Sequence, residues 1–146
     1  MPPFFSIITS TYNAEEALPP LLESLASQTC RDFNWIVQDG SSSDATMQIV
    51  EQYRDRLPEI FADSRKDRGI YDAWNKALDR WHNKLGNWVI FMGAGDTFCH
   101  QDALKEVMHH LKQLSDKYVY YAVPVEIVLG SGEVLNQVSP SDNPSI

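Results

Sequence analysis

The chain has 146 residues, of which 43% are hydrophobic and 22% are charged, and these values suit one globular domain with a buried core. The formal net charge of −8 argues against a nucleic-acid partner, because the phosphates would be repelled. No apolar run approaches the ~20 residues that cross a bilayer. The N-terminus lacks the pattern of a signal peptide, and Cys30 and Cys99 form no disulfide framework, so we expect a cytoplasmic protein.

The first half of the sequence alternates between predicted strands and predicted helices. Apolar runs at Phe4–Thr9 and Phe33–Val37 each predict a short buried strand, and a polar turn follows each of them. Leucines at helical spacing from Leu18 to Leu25 predict the helix between them, which starts near the prolines at 19 and 20, where a missing N–H costs little. A second helix, capped by the polar run 38–44, carries on its inner face Ile49, Val50, Tyr53 and Leu57.

The alternation continues into the second half. Ile60–Ala62 predicts a weaker third strand, and apolar residues at helical spacing predict a helix over Ile70–Trp81. Trp88–Met92 is a hydrophobic run that predicts a buried fourth strand, and it stops at small residues and one acid. A fourth helix is predicted over Leu104–Leu114. Four strands that alternate with helices predict a parallel sheet.

The C-terminal part of the sequence has a different pattern. Residues 118–129 and 133–138 predict two strands that are joined by the turn Gly130–Gly132, so we expect a β-hairpin. Residues 139–146 form a polar tail. Residues 1–138 are therefore expected to form one α/β domain, with a mostly parallel central sheet, helices on both faces and a C-terminal hairpin.

The segments that follow the four predicted strands are expected at one edge of the sheet, where α/β proteins bind ligands. These segments are Ser10–Asn13, Asp39–Ser41, Arg65–Gly69 and Gly93–Asp96. An aromatic ring there can stack on a base, an acid can accept hydrogen bonds from a base or a ribose, and glycines let the backbone approach a diphosphate. A carboxylate can hold Mg²⁺ or Mn²⁺ against phosphate oxygens, which reconciles an acidic protein with an anionic ligand.

Blocks of this sequence resemble those of the family 2 glycosyltransferases, and they occur in the same order. The blocks are Phe5–Asn13, Leu25–Thr29, Val37–Thr46, Asp67–Leu78 and Phe91–Phe98. The resemblance covers about the first two thirds of the chain. It implies a GT-A fold, which is Rossmann-like, and the binding of a nucleotide-diphosphate sugar with Mg²⁺ or Mn²⁺.

The resemblance also implies which residues form the donor site. Tyr12, together with Ser10 and Thr11, and Asp39 after the second strand would hold the base and the ribose. Asp96 would be the metal ligand. The other nucleotide-binding residues expected from these blocks are Lys66, Asp67, Asn75 and Gly95.

The sequence departs from the family pattern in two ways. Gln38 and Gly95 stand where the family often has acids, which lowers the local negative charge. The catalytic base of the family is an acid of the acceptor-binding half, and nothing marks Glu126 or Glu133 as that base. We therefore expect a chain truncated to the nucleotide-sugar-binding half, with the base beyond it.

The expected function is metal-dependent transfer of a hexose, with inversion, from a nucleotide-diphosphate sugar to a saccharide or lipid-linked acceptor. A lipid-linked acceptor would place the protein at the inner face of the membrane, and the oligomeric state stays open. One alternative is a non-catalytic module that binds nucleotide sugars. A metal-dependent nucleotidyltransferase is disfavoured, because Ser10–Asn13 is not a glycine-rich basic loop. The phosphate signatures of dinucleotide oxidoreductases and P-loop enzymes are absent from the sequence.

Overall fold

The computed structural model describes residues 1–114, 125–128 and 133–138. The chain divides into two compact units, Met1–Leu111 and Lys112–Ile146. The expected single domain over residues 1–138 stays a prediction.

Strands and helices alternate through residues 1–114. The strands are β1 (Phe5–Thr11), β2 (Phe33–Asp39), β3 (Ile60–Ser64) and β4 (Trp88–Phe91). The helices are α1 (Leu18–Ala26), α2 (Thr46–Gln52), α3 (Ile70–Trp81) and α4 (Ala103–Gln113). A short 3-10 turn, His82–Lys84, follows α3. The predicted order of these elements is confirmed.

The four strands form one parallel sheet in the order β3-β2-β1-β4. Thr11 pairs with Asp39, and Asp39 pairs with Ser64, so three strands end level at the carboxyl edge of the sheet. β4 is shorter, because it pairs with β1 only from Phe5 to Ile8. The chain moves outward from β1 to β3 and then returns to the other side of β1. In α/β sheets, ligands bind outside the carboxyl ends of the strands, near such a change of direction.

Helices cover both faces of this sheet, as the sequence predicts. Ile8 and Ile36 point to one face and pack with Ala77 of α3. Trp35 points to the other face, where its indole N–H donates to the hydroxyl of Thr9 at 3.0 Å. Crossovers from β1 to β3 run in one direction and the crossover from β3 to β4 runs back. Since such crossovers are right-handed, α1 and α2 lie on the face opposite α3.

Some boundaries differ from the prediction. Ser10 and Thr11 were expected in a turn but end β1, because they pair with Gln38 and Asp39 of β2. Backbone hydrogen bonds of the ladder therefore hold four polar residues in extended conformation. The second helix is shorter than predicted, since it ends at Gln52.

The fourth strand is less buried than its hydrophobic sequence predicts. Phe91 is 41% exposed, and its neighbours Trp88, Val89 and Ile90 are only half-buried. Within the described residues β4 has a strand partner on one side only, which is β1. A hydrophobic run therefore predicted the strand correctly and its burial incorrectly.

In the second unit, β5 (Val125–Val128) and β6 (Val134–Val138) pair antiparallel. The register is irregular between Ile127 and Val128. The two predicted strands are confirmed over these residues. The predicted turn Gly130–Gly132, the other residues of the first predicted strand and the polar tail lie outside the described residues.

Candidate functional site

A cleft of about 540 Å³ opens at the carboxyl edge of β1, β2 and β3. Its walls are residues 10–12 at the end of β1, residues 40 and 41 after β2, and parts of the segment 66–73 that leads into α3. This volume lies in the range of about 300–1,000 Å³ that is usual for small-molecule pockets.

The cleft brings together five of the nine residues that the sequence predicts for the site. Those five are Ser10, Thr11, Tyr12, Lys66 and Asp67. The other four do not line it: Asp39, Asn75, Gly95 and Asp96. Asn75 is exposed on α3. The predicted roles of all nine residues in binding stay predictions.

Tyr12 presents an aromatic ring to the cleft, and 69% of the residue is exposed. The loop that carries it is tied to the loop after β2. The N–H of Asn13 donates to the Ser42 hydroxyl at 2.8 Å, and the side-chain oxygen of Asn13 accepts from the N–H of Ser43 at 2.9 Å. Asn13 and Ser41 both have positive φ, 44° and 65°, which is uncommon for residues other than glycine. The ring is therefore held on an ordered loop.

Further hydrogen bonds join the same two loops. The N–H of Ala14 donates to Thr46 Oγ1 at 2.8 Å, and the N–H of Glu15 donates to the Asp44 carboxylate at 3.1 Å. In return, the Glu15 carboxylate accepts from the N–H of Ala45 at 2.9 Å. The sequence predicts that the polar run 38–44 caps the next helix, but the N-cap of α2 is Ala45, which has no side-chain cap hydrogen bond. Residues 42–44 of that run instead anchor the start of the segment that leads into α1.

Asp39 lies behind the cleft, fully buried, and its carboxylate accepts four hydrogen bonds from three separate segments. Thr11 Oγ1 and Ser42 Oγ donate to Oδ1 at 2.7 and 2.6 Å, and Ser42 N–H and Ser64 Oγ donate to Oδ2 at 2.8 and 2.7 Å. Burial acts to raise the pKa of Asp39, but these hydrogen bonds outweigh it and lower that pKa. A ligand that contacts this carboxylate must share or replace one of these donors.

The neutral Gln38 side chain lies on the opposite face of β2 from Asp39, and the residue is fully buried. Its amide N–H donates to Asp63 Oδ2 at 2.8 Å. Asp63 also forms ion pairs with Arg65 at 2.7 Å and Arg80 at 3.5 Å. The oxygen Oε1 of Gln38 has no hydrogen-bond partner in the described part of the chain. An acid at position 38, as the family often has, would stand against the carboxylate of Asp63.

Asp67 and Gly40 face each other across the cleft wall. Oδ1 of Asp67 accepts from the N–H of Gly69 at 3.0 Å. Oδ2 lies where a side chain at position 40 would begin, since a Cβ added to Gly40 would be 2.8 Å from it. A glycine at position 40 therefore leaves room for the Asp67 carboxylate. Lys66, which is exposed, adds a positive charge to the same wall.

Two apolar residues of the cleft, Ile70 and Ala73, were not predicted as site residues. They entered the sequence prediction only as apolar residues whose spacing predicts α3. Ala73 is buried, but Ile70 is 44% exposed and borders the cleft. The sequence signal that was available is the glycine directly before the helix. In the structure Gly69 has φ 123° and ψ −177°, a conformation that is essentially restricted to glycine.

Asp96 is exposed and closes a turn after β4. Its Oδ2 accepts from the N–H of Gly93 at 2.7 Å, and its own N–H donates to the Gly93 carbonyl at 3.1 Å. A Cβ on Gly93 would be 3.2 Å from that carboxylate, whereas a Cβ on Gly95 would meet open space. The two glycines thus allow the turn and leave room beside it. No described hydrogen bond or ion pair uses Oδ1 of Asp96.

The surroundings of Asp96 fit a metal ion that takes most of its coordinating oxygens from a bound substrate and from water. Among the described residues there is no cluster of three or more His, Cys, Asp or Glu side chains that could hold a metal ion alone. Mg²⁺ and Mn²⁺ need only one or two protein carboxylates when substrate phosphates and waters supply the other oxygens. A single exposed carboxylate oxygen beside open space meets that requirement.

Comparison with known proteins identifies the family. The profile described as Glycosyl transferase family 2 matches residues 6–138. The chain belongs to this family. The predicted resemblance and the GT-A type of α/β fold are thereby confirmed.

Two relatives illustrate the match. The PGL/p-HBAD biosynthesis glycosyltransferase of Mycobacterium bovis is 40% identical over 106 residues, which are 72% of this chain and 40% of the relative. The poly(ribitol-phosphate) beta-N-acetylglucosaminyltransferase TarS of Staphylococcus aureus is 47% identical over 105 residues, 70% of this chain and 18% of that protein. The chain therefore spans two fifths or less of the length of these relatives.

Solved structures give the same fold. Residues 1–349 of S. aureus TarS in complex with UDP-GlcNAc match 90% of this chain and 42% of that chain, with TM-score 0.67 and 26% identity. The mannosyltransferase PcManGT of Pyrobaculum calidifontis, in complex with GDP-Man and Mn²⁺, matches 88% of this chain and 36% of that chain, with TM-score 0.66. At 23% identity, the second match supports the fold alone.

None of the helices in the described residues combines the length and the apolar character that crossing a bilayer requires.

Proposed function

We propose that this chain is the donor-binding part of a metal-dependent, inverting glycosyltransferase. It transfers a hexose from a nucleotide-diphosphate sugar to a saccharide or lipid-linked acceptor, in the cytoplasm at the inner face of the membrane. The observation that carries the proposal is the cleft, because it combines an exposed aromatic ring, a carboxylate and an ammonium group at the ligand-binding edge of the sheet.

The nucleoside part of the donor occupies the cleft. The base stacks on the Tyr12 ring, an interaction that favours any flat π system. Oδ2 of Asp67, which has no hydrogen-bond donor among the described residues, accepts a hydrogen bond from the base or the ribose, and Ser10 and Thr11 complete this wall. Asp39 contributes a further contact when a donor group of the ligand replaces one of the four protein donors that bind its carboxylate.

The diphosphate lies between the cleft and the turn after β4. Lys66 supplies a positive charge to it from the wall of the cleft. Gly95 leaves open space for it, and Asn75 offers an amide from the exposed side of α3. Asp96 would hold the divalent ion. When bound, Mg²⁺ or Mn²⁺ supplies the positive charge that stabilises the departing nucleoside diphosphate.

The binding proposal is tested by calorimetry of UDP and GDP with and without Mn²⁺. We expect binding that needs Mn²⁺ and that weakens at least tenfold in Asp96→Ala. Asp79→Ala is the matched control, because Asp79 is another exposed aspartate and lies on α3 outside the cleft. Binding that ignores both Mn²⁺ and the loss of the Asp96 carboxylate would refute the metal assignment.

The alternative is a non-catalytic module that binds nucleotide sugars, because the cleft itself supplies groups that bind a donor and none of the described residues is assigned as the base that removes the acceptor proton. Release of UDP from UDP-GlcNAc, by transfer or by hydrolysis, distinguishes the two. An enzyme releases UDP with Mn²⁺, whereas a binding module holds the intact donor.

A further inference from the structure

The third wall of the cleft is the segment Lys66–Gly69, which connects β3 to α3. Backbone hydrogen bonds hold it only at its two ends in the described chain. At one end the N–H of Arg65 donates to the carbonyl of Asp39 at 2.8 Å, and at the other the N–H of Ala73 donates to the carbonyl of Gly69 at 3.0 Å. Side chains must therefore supply the remaining order of this segment.

Two residues of α3 supply most of that order. Lys76 Nζ donates to the carbonyl of Lys66 at 2.9 Å, across ten positions of the chain. Asp72 Oδ2 accepts from the N–H of Arg68 at 2.9 Å. The two side chains also bind each other, with Lys76 Nζ 2.8 Å from Asp72 Oδ2. One linked pair thus holds one backbone acceptor and one backbone donor of the wall.

This pair differs from an ordinary ion pair on a helix surface. The side chains of Asp72 and Lys76 are 20% and 29% exposed, so solvent screens them only in part. The hydrogen bonds from Lys76 and from the N–H of Arg68 lower the pKa of Asp72 to about 2. The Asp72 carboxylate is therefore charged throughout the neutral range, and its contact with the N–H of Arg68 is charge-assisted.

We propose that Asp72 and Lys76 are positioning residues for the donor cleft, which act by holding the wall Lys66–Gly69 in its binding shape. This inference rests on the proposed function. Neither residue lines the cleft. Lys66 and Asp67, which do line it, belong to the segment that the pair holds. Loss of the pair lets the segment adopt other conformations, and the apparent affinity for nucleotide falls with the fraction that is still competent to bind.

Lys76→Met tests this inference, because methionine keeps the aliphatic stem and removes the ammonium group. We expect affinity for UDP with Mn²⁺ to fall about tenfold, as the loss of a charge-assisted hydrogen bond predicts. Lys76→Arg can donate to both partners, so it should restore the affinity to within about threefold of the unaltered chain. If the pair has no positioning role and acts only as an exposed ion pair on a helix, Lys76→Met would change the affinity for UDP by about twofold or less.

The matched control is Arg54→Met near the end of α2. Arg54 also binds a carboxylate on its own segment, Glu51 at 2.7 Å, and a backbone carbonyl, that of Ile60 at 3.2 Å. It lies outside the cleft. We expect this variant to bind UDP as the unaltered chain does.

Amide hydrogen exchange gives a readout that needs no nucleotide. In Lys76→Met the amides of Arg68 and Gly69 should exchange at least tenfold faster, while those of the β1 and β2 ladder stay unchanged. Unchanged exchange at these two amides would overturn the inference, as would faster exchange with undiminished UDP binding. Absence of UDP and GDP binding by the unaltered chain would instead overturn the proposed function. The exchange rates would then still report whether the pair holds the wall.

Discussion

Replacement of Asp39 by asparagine changes the side-chain volume little but should weaken the contacts between three strands. Its buried carboxylate joins the ends of β1, β2 and β3 through donors on Thr11, Ser42 and Ser64. We consider two substitutions, Asp39→Asn and Asp39→Ala. The first keeps the shape and removes the charge, and the second removes every acceptor.

The expected losses follow from the four hydrogen bonds. In Asp39→Asn the amide oxygen can accept from Ser42 N–H and Ser64, while the amide nitrogen faces hydroxyls that can rotate to accept. Each bond then loses its charge assistance, about 0.5 kcal/mol, so the free energy of unfolding falls by about 2 kcal/mol. In Asp39→Ala the Ser42 N–H loses its acceptor and three hydroxyls lose theirs, so we expect a loss of about 4 kcal/mol.

Urea unfolding at pH 7 measures both losses, and Asp55→Asn is the control because Asp55 is exposed on a turn. The control should change the free energy of unfolding by less than about 0.5 kcal/mol. With a slope of about 2 kcal/mol per molar, Asp39→Asn should lower the midpoint by roughly 1 M.

The dependence on pH gives a second, independent check. The pKa of Asp39 is lowered in the folded protein relative to 3.8, so its carboxylate stabilises the fold above that value. This contribution is lost as the pH falls below 3.8 and through the folded pKa. The difference between the unaltered chain and Asp39→Asn should therefore be constant from pH 7 to pH 5 and smaller at pH 3. Equal stability of the two chains at pH 7, or a difference that does not shrink in acid, would refute this account of Asp39.

Three further outcomes are expected. Tyr12→Ala should weaken UDP binding in calorimetry by about tenfold, because a base–aromatic stack contributes about 1–3 kcal/mol. It should leave the free energy of unfolding unchanged, since the residue is 69% exposed. Tyr12→Phe keeps the ring and should bind UDP within about twofold of the unaltered chain. In Gly40→Ala the new Cβ would be 2.8 Å from Oδ2 of Asp67, so the flexible carboxylate must move. The loss in free energy of UDP binding, measured by calorimetry, should therefore exceed the loss in free energy of unfolding, measured in urea. Gly69→Ala should cost about 1–3 kcal/mol in urea unfolding, since φ 123° suits only glycine.

The fold was largely predictable because its signals are local and agree with one another. Apolar spacing predicted α3 at Ile70–Trp81, the residues it occupies in the structure, and alternation of strand and helix predicted a parallel sheet. The errors arose where pairing between strands outweighs local preference. Polar residues at the ends of β1 and β2 read as turns, yet the ladder holds Ser10 and Asp39 in strands. The burial of β4 also depends on which elements pack beside it, and a run of four hydrophobic residues does not predict those elements.

The site was predictable as a set of loops and less so as a set of contacts. Parallel strands bring their carboxyl ends together, so topology alone placed Tyr12 near Lys66 and Asp67. Whether a carboxylate faces ligand or protein depends on nearby donors, and nothing local in the sequence revealed that Thr11 and Ser64 would bind Asp39. Ile70 was missed because helical spacing does not distinguish a core position from a cleft wall.

The three acids that the sequence predicts at the edge of the sheet therefore have different parts in one arrangement. Asp39 is buried and joins three strand ends, Asp67 lines the cleft and accepts from the N–H of Gly69, and Asp96 stands exposed in a turn after β4. Because Asp96 is the exposed one of these three acids and Gly95 next to it leaves open space, a divalent ion that needs phosphate oxygens can reach that acid without disturbing the other two. Metal binding and nucleotide binding should consequently be coupled, each strengthening the other by the same factor.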